Sequence, residues 1–277
     1  MTFTTPTNRF KQALAARQTQ IGFWLNLSDL SSTEICAGAG FDWLLVDTEH
    51  APNDLHRVQA QLQTVAAYPA TQAVVRVGMA AGPLGDMLIK QTLDLGAQTI
   101  MAPMVDTAEQ AAAVVGAARY PQADGGGGKR GMAGARASHW GRNPRYAQEA
   151  NAQVCVLVQA ETRTALEHLD AIAATPGVDG VFIGPADLSA SLGHVGDAGH
   201  PAVQAAIADA FARIAAKGKA AGILASDEGL ARHYLELGAT FVAVGLDTQL
   251  LATETSALAA RYKGGVPVPA APRGGVY

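Results

Sequence analysis

The sequence predicts a single-domain α/β protein, a (β/α)8 TIM barrel, and three observations carry that expectation. Eight short apolar runs recur along the 277 residues, most of them followed by a stretch of helical composition. Runs that stay apolar without alternating suit strands buried on both faces, as in a parallel sheet. Several helical stretches end in a glycine just before the next run, at Gly40, Gly96, Gly177, Gly218 and Gly238. That is the chemistry of a helix C-cap opening into a short loop. The length is that of one such barrel. A doubly wound sheet is the alternative, but no glycine-rich phosphate fingerprint follows the first run, where WLNLSDL stands.

In chain order, the runs begin near Ile21 (IGFWL), Trp43 (WLLVD), Ala73 (AVVRV) and Gln98 (QTIMAP), then Val154 (VCVLVQAE), Asp179 (DGVFIG), Ala220 (AAGILA) and Thr240 (TFVAVG). Helices are expected over 53–67, 83–95, 107–118, 162–175, 201–217, 226–237 and 248–262. Two intervals are longer than the rest. Residues 120–145 are rich in glycine and arginine without a period, and SLGHVGDAGHP precedes the helix at 201; both read as long loops at the catalytic face of a barrel. The barrel domain is assigned to 1–262. The remaining 263–277, with GGVPVPAAPRGGVY, cannot continue a helix and is assigned as a tail.

Composition narrows the function classes. With 49% hydrophobic and 16% charged residues the chain can bury a large core, so a disordered protein is excluded. A net charge of −4 offers no footprint for nucleic acid. Cys36 and Cys155 stand far apart with no metal or disulfide pattern. The first residues lack an apolar core behind a basic start, and no apolar run approaches the roughly 18 residues of a membrane span, so a cytoplasmic location is expected.

Ionisable residues concentrate where a barrel places its chemistry, at the C-terminal ends of the strands. Reading those ends gives Trp24, then Asp47, Glu49 and His50, then Arg76, Glu161 and Asp187. Buried charges are costly unless paired or bound to a metal, so the readings are a functional site or a structural ion-pair network. Glu161 and Asp187 end consecutive runs, and two hard oxygen donors suit Mg²⁺ or Mn²⁺ better than zinc. The plainer reading is two carboxylates capping helices. Asp47 could orient His50 and leave its other nitrogen free as a base. Arg76, flanked by valines, requires an anionic partner, either a carboxylate or a developing oxyanion. The six other histidines lack such company and are expected on surfaces or loops. None of the six lysines ends a run, which leaves Schiff-base chemistry without a nucleophile. GGGGKRG fails the phosphate-loop pattern because no Ser or Thr follows Lys129.

The segments DWLLVDTEHAPND, QTIMAPMVDTAEQA, RYP, VQAET, DGVFIGPADLSASLG, AGHP, GKAAGIL and FVAVGLDT, spanning about Ile21 to Tyr262, closely resemble the HpcH/HpaI family. Its best-known members are metal-dependent 4-hydroxy-2-oxoheptanedioate aldolases. The resemblance implies a barrel that assembles as a hexamer and exchanges its C-terminal helix between subunits. It makes Glu161 and Asp187 the ligands of a divalent metal (Mg²⁺, Mn²⁺ or Co²⁺) and His50 the base, paired with Asp47. It also implies that Arg76 steadies the enolate oxygen. The N–H groups of Ala186 and Asp187 would hold the pyruvate carboxylate, with Trp24 and Leu224 lining the aldehyde pocket. The expected function is a class II aldolase that takes pyruvate or hydroxypyruvate and an aldehyde as partners. Two alternatives are a lyase for CoA thioesters of the malyl-CoA or citryl-CoA type and a non-catalytic barrel that binds a keto acid. The sequence departs from the family in PQADGGGGKRGMAG, where Arg130-Gly131 matches the family's G-x-R-G core behind additional glycines.

Overall fold

The structure is a computed structural model that describes residues 3–122 and 127–263. Eight parallel strands close into a barrel in sequence order, so each strand pairs with its neighbours in the chain and β8 returns to β1. They are β1 (Gln20–Leu25), β2 (Trp43–Asp47), β3 (Gln72–Arg76), β4 (Thr99–Ala102), β5 (Cys155–Ala160), β6 (Gly180–Ile183), β7 (Ala220–Leu224) and β8 (Phe241–Leu246). All eight expected runs are strands. The helices are α1 (Arg9–Ala15), α2 (Leu30–Ala37), α3 (Leu55–Val65), α4 (Gly82–Asp94), α5 (Ala108–Ala118) and α6 (Tyr146–Gln153). They continue with α7 (Arg163–Glu167), α8 (Leu169–Ala174), α9 (Pro185–Ser191), α10 (Pro201–Ala216), α11 (Glu228–Glu236) and α12 (Asp247–Lys263).

Where the helices differ from expectation, the cause is local. The stretch 162–175 is two helices, because His168 closes α7 and opens α8. Helix α2 buries only Thr33 and Ala37, and α6 only Ala150, so neither carries the apolar stripe from which a helix is read. Helix α12 runs one residue into the expected tail, and 264–277 lie outside the described residues.

Side-chain parity along the strands decides what faces the barrel interior. Trp43, Leu45 and Asp47 alternate with Leu44 and Val46, which pack outward against α3. The same alternation turns Val74 and Arg76 inward on β3 and Cys155, Leu157 and Gln159 inward on β5. Large rings fill the lower interior. Glycine faces them where a Cβ would overlap, as at Gly22 against Trp43 and Gly222 against Phe241. Helix α1 closes the N-terminal opening. Its Phe10 is fully buried against Trp43 and Phe241, at ring centroids of 5.7 and 5.9 Å. The apolar filling therefore stops below the C-terminal rim, where the polar inward positions lie.

Candidate active site

A small cavity opens at the C-terminal rim, and Trp24, His50, Arg76, Glu161, Ala186, Asp187 and Leu224 all line it. Seven of the eight residues to which the sequence gives a role thus meet in one place. The eighth, Asp47, lies behind the wall and is fully buried. A larger cavity, about 710 Å³, lies at the opposite end of the barrel among the starts of β3 and β4 and contains none of these groups. The site is therefore located by its chemistry and not by cavity size. None of the six remaining histidines lines it.

Asp47 and Arg76 are direct partners across the β2–β3 register. Arg76 donates from Nε to Asp47 Oδ1 at 2.9 Å and from NH2 to Oδ2 at 2.7 Å. Asp47 also accepts from the Glu49 N–H at 3.0 Å and from Trp24 Nε1 at 3.4 Å. Burial pushes the Asp47 carboxyl upward, but the bonds and charge of Arg76 outweigh it and hold it below the usual carboxylate range. The guanidinium lies 5.0 Å from the Trp24 ring centroid and is 6% exposed, so its charge is held rigidly and close to dry. Carboxylate partners thus supply the anion that a buried arginine at this position requires.

Glu49 and Gln159 belong to the site although the sequence assigns them no role. Glu49 Oε2 lies 2.8 Å from Arg76 NH1 and 4.0 Å from His50 Nε2. The β2–α3 loop that carries Glu49 and His50 is pinned by Asn53, which donates to the Asp47 carbonyl and accepts from Gln61, both at 2.6 Å. Gln159 lines the cavity and donates to Glu161 Oε2 at 3.0 Å. Its own buried Oε1 has no partner among the described residues. Its position two residues before Glu161, on the same inward face of β5, is the signal that would have found it.

Glu161 is 2% exposed and accepts the Met104 N–H on Oε1 at 2.8 Å. Met104 holds φ at 52°, a left-handed conformation unusual for that residue, in the β4–α5 loop that presents this N–H. Burial, with the charges of Asp187 and Glu49, pushes the Glu161 carboxyl up from 4.5 to about 7, against the lowering effects of Met104 N–H and Arg76. Gly184 makes the crowding possible, since a Cβ there would overlap Glu161 Oε2. Asp187 sits in the first turn of α9. No side chain caps that helix, so the Ala186 and Asp187 N–H groups keep their donors.

A cation fits this donor set. A buried carboxylate raised by neighbouring acids gains from a positive charge between them, and both donors are hard oxygens. Among the described residues no group of three His, Cys, Asp or Glu side chains converges, so Glu161 and Asp187 would leave most coordination positions to other ligands.

The barrel rim thus gathers carboxylates, a buried arginine and a loop histidine around one cavity. The chain belongs to the HpcH/HpaI aldolase/citrate lyase family, whose pattern matches residues 20–253. It is 61% identical to the 4-hydroxy-2-oxovalerate aldolase of Rhodococcus jostii (strain RHA1), over 93% of this chain and 96% of the relative. It is 57% identical to the hydroxypyruvate/pyruvate aldolase of Pseudomonas aeruginosa, over 96% and 97%. A crystal structure of a family protein from Burkholderia cenocepacia J2315 superposes with a TM-score of 0.86 at 43% identity, covering 92% of this chain and all of that one.

Proposed function

We propose that this chain is a class II aldolase that reversibly cleaves 4-hydroxy-2-oxo acids, such as 4-hydroxy-2-oxoheptanedioate, to pyruvate and an aldehyde, with hydroxypyruvate as the donor product where C3 carries a hydroxyl. The observation that carries this reading is the convergence of His50, Arg76, Glu161 and Asp187 on one cavity of the barrel rim. Relatives named for 4-hydroxy-2-oxovalerate and for 4-hydroxy-2-oxo-heptane-1,7-dioate, at 61% and 55% identity, support a common donor half and a variable acceptor half. Glu161 and Asp187 would hold a divalent metal, Mg²⁺, Mn²⁺ or Co²⁺, which when bound supplies Lewis acidity at the 2-oxo oxygen.

The chain's own groups divide the remaining work. The N–H groups of Ala186 and Asp187 hold the substrate carboxylate. Arg76, fixed by Asp47, puts a permanent positive charge where the enolate oxygen develops. His50 takes the proton of the 4-hydroxyl group in cleavage, or of pyruvate C3 in the synthetic direction. Trp24 and Leu224 line the aldehyde side and exclude water. The thioester alternative requires a basic groove, but the available cations are scattered and engaged. Lys129 pairs with Asp86 and Arg130 with Asp94, each at 2.7 Å, and Arg136 donates to the Leu95 carbonyl at 2.6 Å.

The C-terminal helix supports assembly. Helix α12 buries only Asp247, which caps the Asn26 and Leu27 N–H groups at 2.8 and 3.1 Å, while Leu250, Leu251 and Leu258 stand exposed. We assign that apolar edge to a subunit partner in a hexamer that exchanges α12.

Hydrogen–deuterium exchange at pyruvate C3 in D₂O, followed by NMR with and without EDTA, tests the central claim. Metal-dependent exchange is expected. Exchange indifferent to EDTA would remove the role given to Glu161 and Asp187, and absence of exchange under every metal would favour the thioester lyase or the keto-acid binder.

A further inference from the structure

We propose that Glu49 is a releasable counter-ion, neutralising Arg76 when no substrate anion is bound and passing to His50 when a substrate oxygen takes its place on the guanidinium. The inference rests on the aldolase reading above and assigns a positioning role within that site.

The two carboxylates on Arg76 are not equivalent. Asp47 is fully buried, accepts two aligned hydrogen bonds from the guanidinium, and is held further by Trp24 Nε1 and the Glu49 N–H. It does not line the cavity. Glu49 keeps 18% of its side chain exposed, and its 2.8 Å approach to NH1 is an ion pair without the alignment that the Asp47 bonds possess. Asp47 is a fixed support, and Glu49 is the weaker of the two holds.

The surroundings of Glu49 push it toward exchange. The charges of Asp47 and Asp187 act against its ionised form, those of Arg76 and His50 favour it, and burial is the largest effect against it. Arg76 and its two carboxylates already sum to a negative charge, so an arriving carboxylate or enolate oxygen meets Glu49 as its competitor for NH1. The same Oε2 lies 4.0 Å from His50 Nε2, on the other side. When His50 accepts a proton it becomes a cation, and Glu49 gains a partner as it loses Arg76. Substrate charge and base charge would therefore change together, with one short side chain moving between them.

The test measures binding and turnover separately, on the full-length protein loaded with Mn²⁺. The probe is oxalate, a planar dianion shaped like the pyruvate enolate, titrated by calorimetry; turnover is C3 exchange of pyruvate in D₂O. Glu49→Gln removes the competing charge at constant size. It is expected to bind oxalate roughly 2- to 5-fold more tightly, the scale of one partly exposed ion pair. Exchange is expected to fall about tenfold, less than the loss for the base itself. Glu49→Asp keeps the charge and is expected to return oxalate affinity to the wild-type value. Weaker oxalate binding in Glu49→Gln, in step with slower exchange, would mean that Glu49 merely holds Arg76 in place and would overturn the proposal. Unchanged binding and exchange, or tightening in Glu49→Asp as well, would also overturn it. A wild-type protein that binds oxalate without exchanging pyruvate protons would instead overturn the aldolase reading and leave the affinity comparison standing.

Discussion

At the scale of single residues, the site depends on charges kept in an expensive environment. Arg76 is buried and carries two carboxylates, and Glu161 is nearly inaccessible and crowded by acids. Replacing Arg76 or His50 by alanine is expected to lower the rate of C3 exchange by about 10²–10⁴, the range for one electrostatic or acid–base group. Arg76→Ala carries a further cost, since Asp47 would remain buried without its cation; a drop in thermal midpoint alongside the rate loss would register it. Glu161 offers a pH signature. Its folded-state value of about 7 lies above the ordinary 4.5, so the folded chain binds that proton more tightly than the unfolded chain. The resulting stabilisation is full below the ordinary value and is lost as pH rises through about 7. EDTA-treated protein is therefore expected to melt at lower temperature near pH 8 than near pH 6, where "near" marks roughly a unit either side of the transition. Glu161→Gln should flatten that difference, and a variant with the same pH slope as wild type would reject the assignment.

At the scale of elements, rim geometry is set by how strands and loops end. Parity along β2, β3 and β5 directs Asp47, Arg76 and Gln159 inward, and the tight loop after β5 delivers Glu161 beside Gly184. Gly184→Ala is expected to displace the Glu161 carboxylate and weaken metal binding while the circular dichroism of the barrel stays unchanged; unaltered metal affinity would show that the glycine does not make this room. At the other end, α1 works as a plug. Phe10→Ala opens a void among Trp43, Phe241 and Leu14, and a loss of about 3 kcal/mol is expected from denaturant unfolding, typical of a buried phenylalanine. The glycine-rich segment also resolves at this scale. The Lys129 N–H donates to the Gly116 carbonyl and the Arg130 N–H to the Arg119 carbonyl, while the Arg130 guanidinium lies 4.4 Å from the Tyr120 ring centroid. The family-like Arg130-Gly131 end is thus clamped against α5, although the composition reads as a loose loop, and the segment is not at the catalytic face as expected: it joins α5 to β5, and Arg136, His139 and Trp140 line the cavity at the opposite end; Ala123 to Gly126 lie outside the described residues.

At the scale of the whole molecule, the barrel separates support from chemistry, with a plugged floor, an apolar middle and a charged rim. Among the described residues no helix is long and apolar enough to cross a membrane. Helix α12 leaves Leu250, Leu251 and Leu258 exposed. Changing Leu250, Leu251 and Leu258 together to serine is expected to dissociate the proposed hexamer in analytical ultracentrifugation, and an unchanged sedimentation coefficient would reject the role proposed for α12.

The sequence by itself determined the eight strands, since parallel strands buried on both faces demand continuous apolar runs that no other element here requires. It also pointed to the rim residues, because a charge ending such a run has few inexpensive explanations. The partners were decided only by the tertiary structure. Asp47 lies three residues from His50 in the chain, yet both its oxygens accept from Arg76, 29 residues away, because register places β2 against β3. Gln159 stayed silent in the sequence, and Glu49 was read at a strand end without a role, for the same reason: their roles rest on through-space contacts with Arg76, His50 and Glu161. Helices α2 and α6 were illegible because they bury too little to leave a stripe. Burial patterns are local and survive in one dimension, whereas charge pairing depends on distances that exist only once the barrel has closed.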